Sequence, residues 1–109
     1  MDKTDALDAF AALGQPTRLD AFRLLVRAGN GGMLAGQVSK ALKVRQNTMS
    51  ANLSILTQSG LIRNQREGRS IRYFADMDGM RGLLAFLMED CCGGRPELCQ
   101  AVIDEIACA

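Results

Sequence analysis

Between residues 46 and 74 the apolar pattern changes period, and that change restricts the fold more than any other feature of the chain. From 46 to about 59, Met49, Leu53 and Leu56 recur at helical spacing, and Gly60 is well placed to stop the helix. Two short runs follow, Leu61-Ile62-Arg63-Asn64-Gln65-Arg66 and Arg69-Ser70-Ile71-Arg72-Tyr73-Phe74. Joined at Glu67-Gly68, they read as a β-hairpin. Upstream, residues 35 to 43 carry Val38 and Leu42 in a short helix, and Val44-Arg45-Gln46 makes a turn. Short helix, tight turn, longer helix and immediate hairpin describe a winged helix-turn-helix unit, mainly α with a β-hairpin wing.

The flanks are helical. Ala6, Leu7, Phe10 and Ala11 fall at helical spacing before Gly14-Gln15-Pro16, and Pro16 suits a first helical turn. Leu19, Phe22, Leu25 and Val26 mark a second helix, ended by Gly29-Asn30-Gly31-Gly32. Beyond the hairpin, Asp76 or Asp78 can cap a last long helix. There Met80, Leu83, Leu84, Leu87 and Met88 form one stripe that needs a partner. After Cys91-Cys92-Gly93-Gly94-Arg95-Pro96 a short helix is expected over 97–107.

At 109 residues and 48% hydrophobic, this is one domain with a modest core. The expected division is terminal helices 3–13 and 77–90 for dimerisation, 35–59 for the helix-turn-helix, 61–75 for the wing and 91–109 as an effector segment. No window has the apolar length of a membrane span. The opening Met1-Asp2-Lys3-Thr4-Asp5 lacks the order of a signal peptide, so the expected location is cytoplasmic and the four cysteines are expected as reduced thiols.

Net charge is only +1, but it is unevenly spread. Residues 40–72 hold Lys40, Lys43, Arg45, Arg63, Arg66, Arg69 and Arg72 against Glu67 alone, a local charge of +6. The rest, with six basic and eleven acidic residues, carries −5. A polyanion would meet the basic segment, twice over in a dimer.

The helix from 46 to 59 bears the feature that most favours DNA. Asn47, Ser50, Ala51 and Ser54 share one face, opposite Met49, Leu53 and Leu56. That face is short, polar and uncharged, whereas solvated helix faces usually carry Lys and Glu. Small side chains admit a helix deep into the major groove; Asn and Gln pair with adenine edges, and Ser reaches bases or phosphates. Gln46, Asn47, Thr48, Ser50, Ala51 and Ser54 are the candidate DNA-facing residues of this helix. Arg66 and Arg69 on either side of the hairpin tip, with Arg63 and Arg72 further down, can reach phosphates or a narrow minor groove. Ile62, Ile71 and Tyr73 are expected in the core.

These stretches resemble the ArsR/SmtB family of metalloregulatory repressors. The resemblance covers residues 14–75 and is carried by Leu13-Gly14-Gln15-Pro16-Thr17-Arg18-Leu19, by Gln46-Asn47-Thr48-Met49-Ser50-Ala51-Asn52-Leu53, and by Ser59-Gly60-Leu61-Ile62 running on to Arg66-Glu67-Gly68-Arg69-Ser70-Ile71-Arg72-Tyr73. It implies a homodimer with terminal helices packed together, here through Met80, Leu83, Leu84, Leu87 and Met88, that leaves its operator when an effector binds. Asn52 departs from the family, many members having histidine there.

The effector expectation comes from cysteine. The chain has no histidine, so a zinc site would need cysteine and carboxylate alone. The arsenic sensors of the resembled family that carry Cys-x-Cys before the recognition helix have no counterpart here, because Ala35-Gly36-Gln37-Val38-Ser39-Lys40-Ala41-Leu42 lacks cysteine. Cys91, Cys92 and Cys99 instead form a Cys-Cys-x6-Cys arrangement that resembles the C-terminal site of another arsenic-responsive subgroup. Soft thiolates favour thiophilic ions, and trivalent arsenic, As(III), takes three sulfurs; antimony in the same state, Sb(III), fits as well. Cys108 is expected as an idle thiol, and no prosthetic group is expected.

Two other readings use the same residues. In one, the fold is kept and the signal changes: Cys91 and Cys92 close a reversible disulfide in a redox or sulfide sensor, or the thiols answer another soft metal. In the other the chain is a thiol enzyme such as an arsenate reductase. That reading is disfavoured because the thiols follow a helix and the acidic Glu89-Asp90, whereas a catalytic thiolate usually stands beside a helix N-terminus or a cationic group.

Overall fold

The computed structural model describes residues 1–89 and 96–106. Helix α1 (Lys3–Leu13) opens with a capping box, the Asp5 amide donating to the Asp2 carboxylate at 2.8 Å and the Asp2 amide to Asp5 at 3.3 Å. Its inward face is Ala6, Ala9 and Ala12. Leu7 and Phe10, which spacing alone suggests as core, lie 57% and 41% exposed. Three alanines let α1 approach α2, α4 and α5 closely, and the larger side chains turn outward. In α2 (Pro16–Ala28), Pro16 occupies the first turn as expected, and the Gln15 side chain accepts from the Arg18 amide at 2.8 Å. Ala21, Phe22 and Leu25 are buried, whereas Leu19 and Val26 are exposed.

A single 3₁₀ turn over Gly29–Gly31 leads into β1 (Met33–Leu34), a two-residue strand that sequence pattern does not reveal. Helix α3 (Ala35–Leu42) ends at Lys43, whose φ of 56° is the left-handed conformation that closes a helix. Helix α4 (Gln46–Gln58) buries Met49, Leu53 and Leu56 as expected, together with Asn52. Strands β2 (Ile62–Glu67) and β3 (Ser70–Ala75) form the hairpin. With β1 they make an antiparallel sheet in the order β1-β3-β2.

The hairpin register differs by one residue from the sequence expectation. Glu67 pairs with Ser70, so Gly68-Arg69 is the two-residue loop. Gly68 has φ +63°, and a two-residue hairpin loop with glycine first at positive φ is the type II′ pattern that suits strand twist. Arg69 therefore stands on the tip itself.

Helix α5 (Met77–Met88) is capped by Asp76, whose carboxylate accepts from the amides of Asp78 and Gly79 at 3.0 and 3.2 Å. The α5 stripe is not exposed as a single face in the monomer. Leu83 is 3% exposed and belongs to the protein's own core, with Met80 and Phe86 packed partly against it. Leu84 and Leu87 point outward at 40% and 52% exposure. The core also contains Leu25, Val38, Leu61 and Ile62. Helix α6 (Pro96–Ile106) follows. Across an apolar groove of about 450 Å³, Val102, Ile103 and Ile106 of α6 face Met77, Met80, Leu84 and Met88 of α5. No helix among the described residues is long and apolar enough to cross a membrane.

Candidate nucleic-acid interface

Helix α4 rests on the core through Met49, Leu53 and Leu56, so its other face is presented outward. Gln46, Asn47, Thr48, Ser50, Ala51 and Ser54 are all exposed there. The Asn47 Oδ1 accepts from the Thr48 amide at 2.8 Å, satisfying one of the free N–H groups of the first turn. Asn52 lies elsewhere. It is 8% exposed, and its Oδ1 accepts from the Arg18 Nη1 at 3.2 Å. The departure from histidine at this position therefore falls on the packed side of the helix, not on the face that meets solvent.

The wing brings a second set of residues to the same place. A groove of about 520 Å³, lined by polar and apolar groups alike, is bounded by Gln46 and Ser50 of α4, the start of α3 from Ala35 to Gln37, and Arg69, Ser70, Ile71 and Tyr73 of the wing. Sequence reasoning named Gln46, Ser50 and Arg69 but missed Gln37 and Ser70. The Gln37 Oε1 accepts from the Leu34 amide at 2.8 Å and caps α3. Only a capping pattern at Leu34–Gln37 could have pointed to it. Tyr73 backs the groove, and burial pushes its phenol pKa up, keeping it neutral.

Strand alternation divides the wing arginines between two faces. Arg66 pairs with Ile71 and Asn64 with Tyr73, on the side that lines the groove. Arg63 pairs with Phe74 and Gln65 with Arg72, on the opposite side. There the Arg63 guanidinium lies 4.3 Å from the Phe74 ring centroid. Arg72 Nε donates to Glu67 Oε2 at 2.9 Å and Nη1 to the Gly31 carbonyl at 3.2 Å. Arg63 and Arg72 thus lie on the wing face opposite Arg66. Arg66 and Arg69 have no side-chain hydrogen bond or ion pair among the described residues, whereas Arg63 and Arg72 are engaged within the protein.

The candidate effector residues fall mostly outside this description. Cys91, Cys92 and Cys108 lie beyond the described residues, and Cys99 falls within α6. Among the described residues no cluster of three His, Cys, Asp or Glu side chains suits a metal ion.

Known proteins share this fold. Residues 13–65 match a family described as a helix-turn-helix domain. An uncharacterized HTH-type transcriptional regulator of Methanocaldococcus jannaschii is 33% identical over 84 residues, which span 77% of this chain and 92% of that protein. An ArsR-like transcriptional regulator from Rhodococcus sp. RHA1 superposes with a TM-score of 0.68 at 27% identity, over 95% of this chain and 93% of that one. A homodimeric winged helix-turn-helix DNA-binding domain from Mycobacterium bovis, described as a possible ArsR-family regulator, gives a TM-score of 0.64 at 26% identity, over 80% of this chain and 81% of that one. The chain belongs to the helix-turn-helix, DNA-binding transcriptional regulators, and its fold is that of ArsR-like winged helix-turn-helix regulators. It is a regulator, and the thiol-enzyme reading falls with that assignment.

Proposed function

We propose that this chain is a cytoplasmic, homodimeric repressor whose release from operator DNA is triggered by trivalent arsenic, or antimony, bound at Cys91, Cys92 and Cys99. The observation that carries the proposal is the position of the Cys-Cys-x6-Cys set. It follows α5 within three residues of Met88 and runs into α6, while the rest of the chain has one further cysteine and no histidine. Three thiolates match a soft, three-coordinate ion and suit hard or imidazole-seeking ions poorly.

Dimerisation has support in the apolar side chains left outside the monomer. Leu7 and Phe10 of α1, Leu84 and Leu87 of α5, and Val102, Ile103 and Ile106 of α6 are all exposed. The Mycobacterium bovis relative is described as homodimeric. A dimer presents two α4 helices to half-sites about one helical turn apart. An ion held between the end of α5 and α6 would shift elements of this dimer surface and hence that spacing. An effector moves such a balance only by its preference for the released state. Allosteric coupling between two sites is typically about 5- to 150-fold.

Operator binding by the full chain, titrated with arsenite, antimonite, cadmium, lead, zinc and peroxide, tests the reading. Release by arsenite and antimonite at concentrations where zinc has no effect supports it. Release by peroxide but not arsenite would replace it with the vicinal-disulfide mechanism.

A further inference from the structure

We propose that Arg72 is a positioning residue for DNA binding, not a DNA contact: with Glu67 it clamps the wing tip to the Gly29–Gly31 turn and so sets where Arg69 stands against the duplex. This rests on the DNA-binding reading of the groove between α4 and the wing.

The sheet is unequally supported along its length. Strand β1 pairs with β3 only at Arg72 and Tyr73, so the outer hairpin from Arg66 to Ile71 is a two-stranded ribbon. Such ribbons twist more than wider sheets and are marginal on their own. Arg72 stands where three strands become two. Its guanidinium bridges Glu67, the last residue of β2, at 2.9 Å and the Gly31 carbonyl at 3.2 Å. The Gly31 end is firmly seated. At neighbouring Gly32 a Cβ would overlap the Tyr73 carbonyl oxygen and crowd the Phe74 ring, so that backbone lies directly on β3. The loop Gly68-Arg69 follows Glu67 at once. Holding the Glu67 carboxylate therefore holds the base of the tip, on the wing face away from the groove.

The clamp and plain electrostatics predict opposite results at Glu67. A carboxylate next to a DNA-contacting tip repels phosphate, so its removal should tighten binding if charge alone mattered. If Glu67 is the anchor that Arg72 grips, its removal loosens the tip and weakens binding.

The probe is a labelled duplex selected from a random-sequence pool by the wild-type full chain, with affinity followed across a salt series. Glu67→Ala is expected to weaken binding by about threefold, as for loss of one partly exposed ion pair. Arg72→Ala should weaken it similarly with an unchanged salt slope, and the double variant should be no weaker than the worse single one. Arg69→Ala should instead flatten the slope by about 0.9, the signature of one lost phosphate contact. Both clamp residues are partly exposed, so thermal melts of these variants should match wild type. Tighter binding by Glu67→Ala, or a slope flattened by about 0.9 in Arg72→Ala, overturns the clamp while leaving the groove reading in place. An Arg69→Ala variant with unchanged affinity and slope overturns the wing-tip contact itself, and the clamp with it.

Discussion

Arg18 and Asn52 join the start of α2 to the middle of α4, with the Arg18 Nη1 donating to the Asn52 Oδ1 at 3.2 Å. The same guanidinium closes the end of α1, giving Nε to the Ala12 carbonyl at 2.7 Å and Nη2 to the Ala11 carbonyl at 3.4 Å. One cation thus satisfies carbonyls left open by a helix C-terminus, where positive charge is favoured, and locates a second helix. The orientation of α4 on the core therefore depends on α1, a helix that also packs on α5.

Replacing Arg18 with alanine should cost about 2 kcal/mol, because hydrogen bonds made by a charged donor are lost at a half-buried site. Asn52→Ala leaves the two α1 bonds intact and should cost nearer 1 kcal/mol. Thermal melting reads both, at roughly 4–8 °C per kcal/mol for a chain of this size. Asn52 is packed away from the exposed α4 face, so its substitution should change stability more than base preference.

The two parts of the DNA surface should separate by experiment. Asn47→Ala and Ser50→Ala remove groups from the exposed α4 face and should alter the ranking of operator variants, each lost base contact being worth about 1–3 kcal/mol of discrimination. Arg66→Ala should weaken binding to all duplexes alike and flatten the salt dependence by about 0.9. A binding-site selection repeated with each variant distinguishes these outcomes. An Arg66→Ala protein with an altered consensus sequence and an unchanged salt slope would contradict the assignment.

On α5, neighbouring leucines should behave differently. Leu83→Ala opens a cavity in the core and should cost about 2–5 kcal/mol whatever the oligomeric state. Leu84→Glu and Leu87→Glu change exposed positions and should leave the monomer fold intact while producing monomers that bind operator poorly. Circular dichroism with light scattering checks both halves. Native spectra and unchanged dimer mass for both charge variants would move the interface elsewhere.

These elements also show how far sequence pattern reaches. Local chemistry is readable: Pro16 in a first turn, Asp76 as a cap and Met49, Leu53 and Leu56 at helical spacing each stand where their own physics puts them. What a helix turns inward is less so. Along α1 the alanines are buried and Leu7 and Phe10 exposed, and along α5 Leu83 is core while Leu84 is not, because the neighbouring elements decide which half of an apolar stripe is covered. Strand β1, with two residues, is too short for alternation to register. The hairpin tip moved by one residue because the strand pattern bounds a turn only loosely, whereas the positive φ of Gly68 as the first loop residue goes with Arg69 on the tip. Alternation alone puts Arg63 and Arg66, three residues apart in β2, on opposite faces; the register adds which β3 residues they meet.

The sharpest prediction concerns the effector segment. If trivalent arsenic is held by Cys91, Cys92 and Cys99, serine at any one of them removes a third of the donor set and should blunt release without affecting repression. A hydroxyl is a far harder ligand than a thiolate, so the loss should appear as a large rise in the arsenite concentration needed for half-release. Cys108→Ser should respond as wild type. Adjacent residues in an intact helix point about 100° apart, so convergence of Cys91 and Cys92 on one ion requires the chain to leave helical geometry after α5, which Gly93-Gly94 and Pro96 favour. Replacing Gly93 and Gly94 together with alanine should therefore weaken the arsenite response while leaving all four thiols in place. Operator-bound fraction against arsenite, measured for each variant beside its arsenite-free affinity, separates loss of sensing from loss of DNA binding. A protein with serine at 91, 92 and 99 that still leaves DNA at the wild-type arsenite concentration would sink the arsenic mechanism and leave the DNA-binding regulator intact.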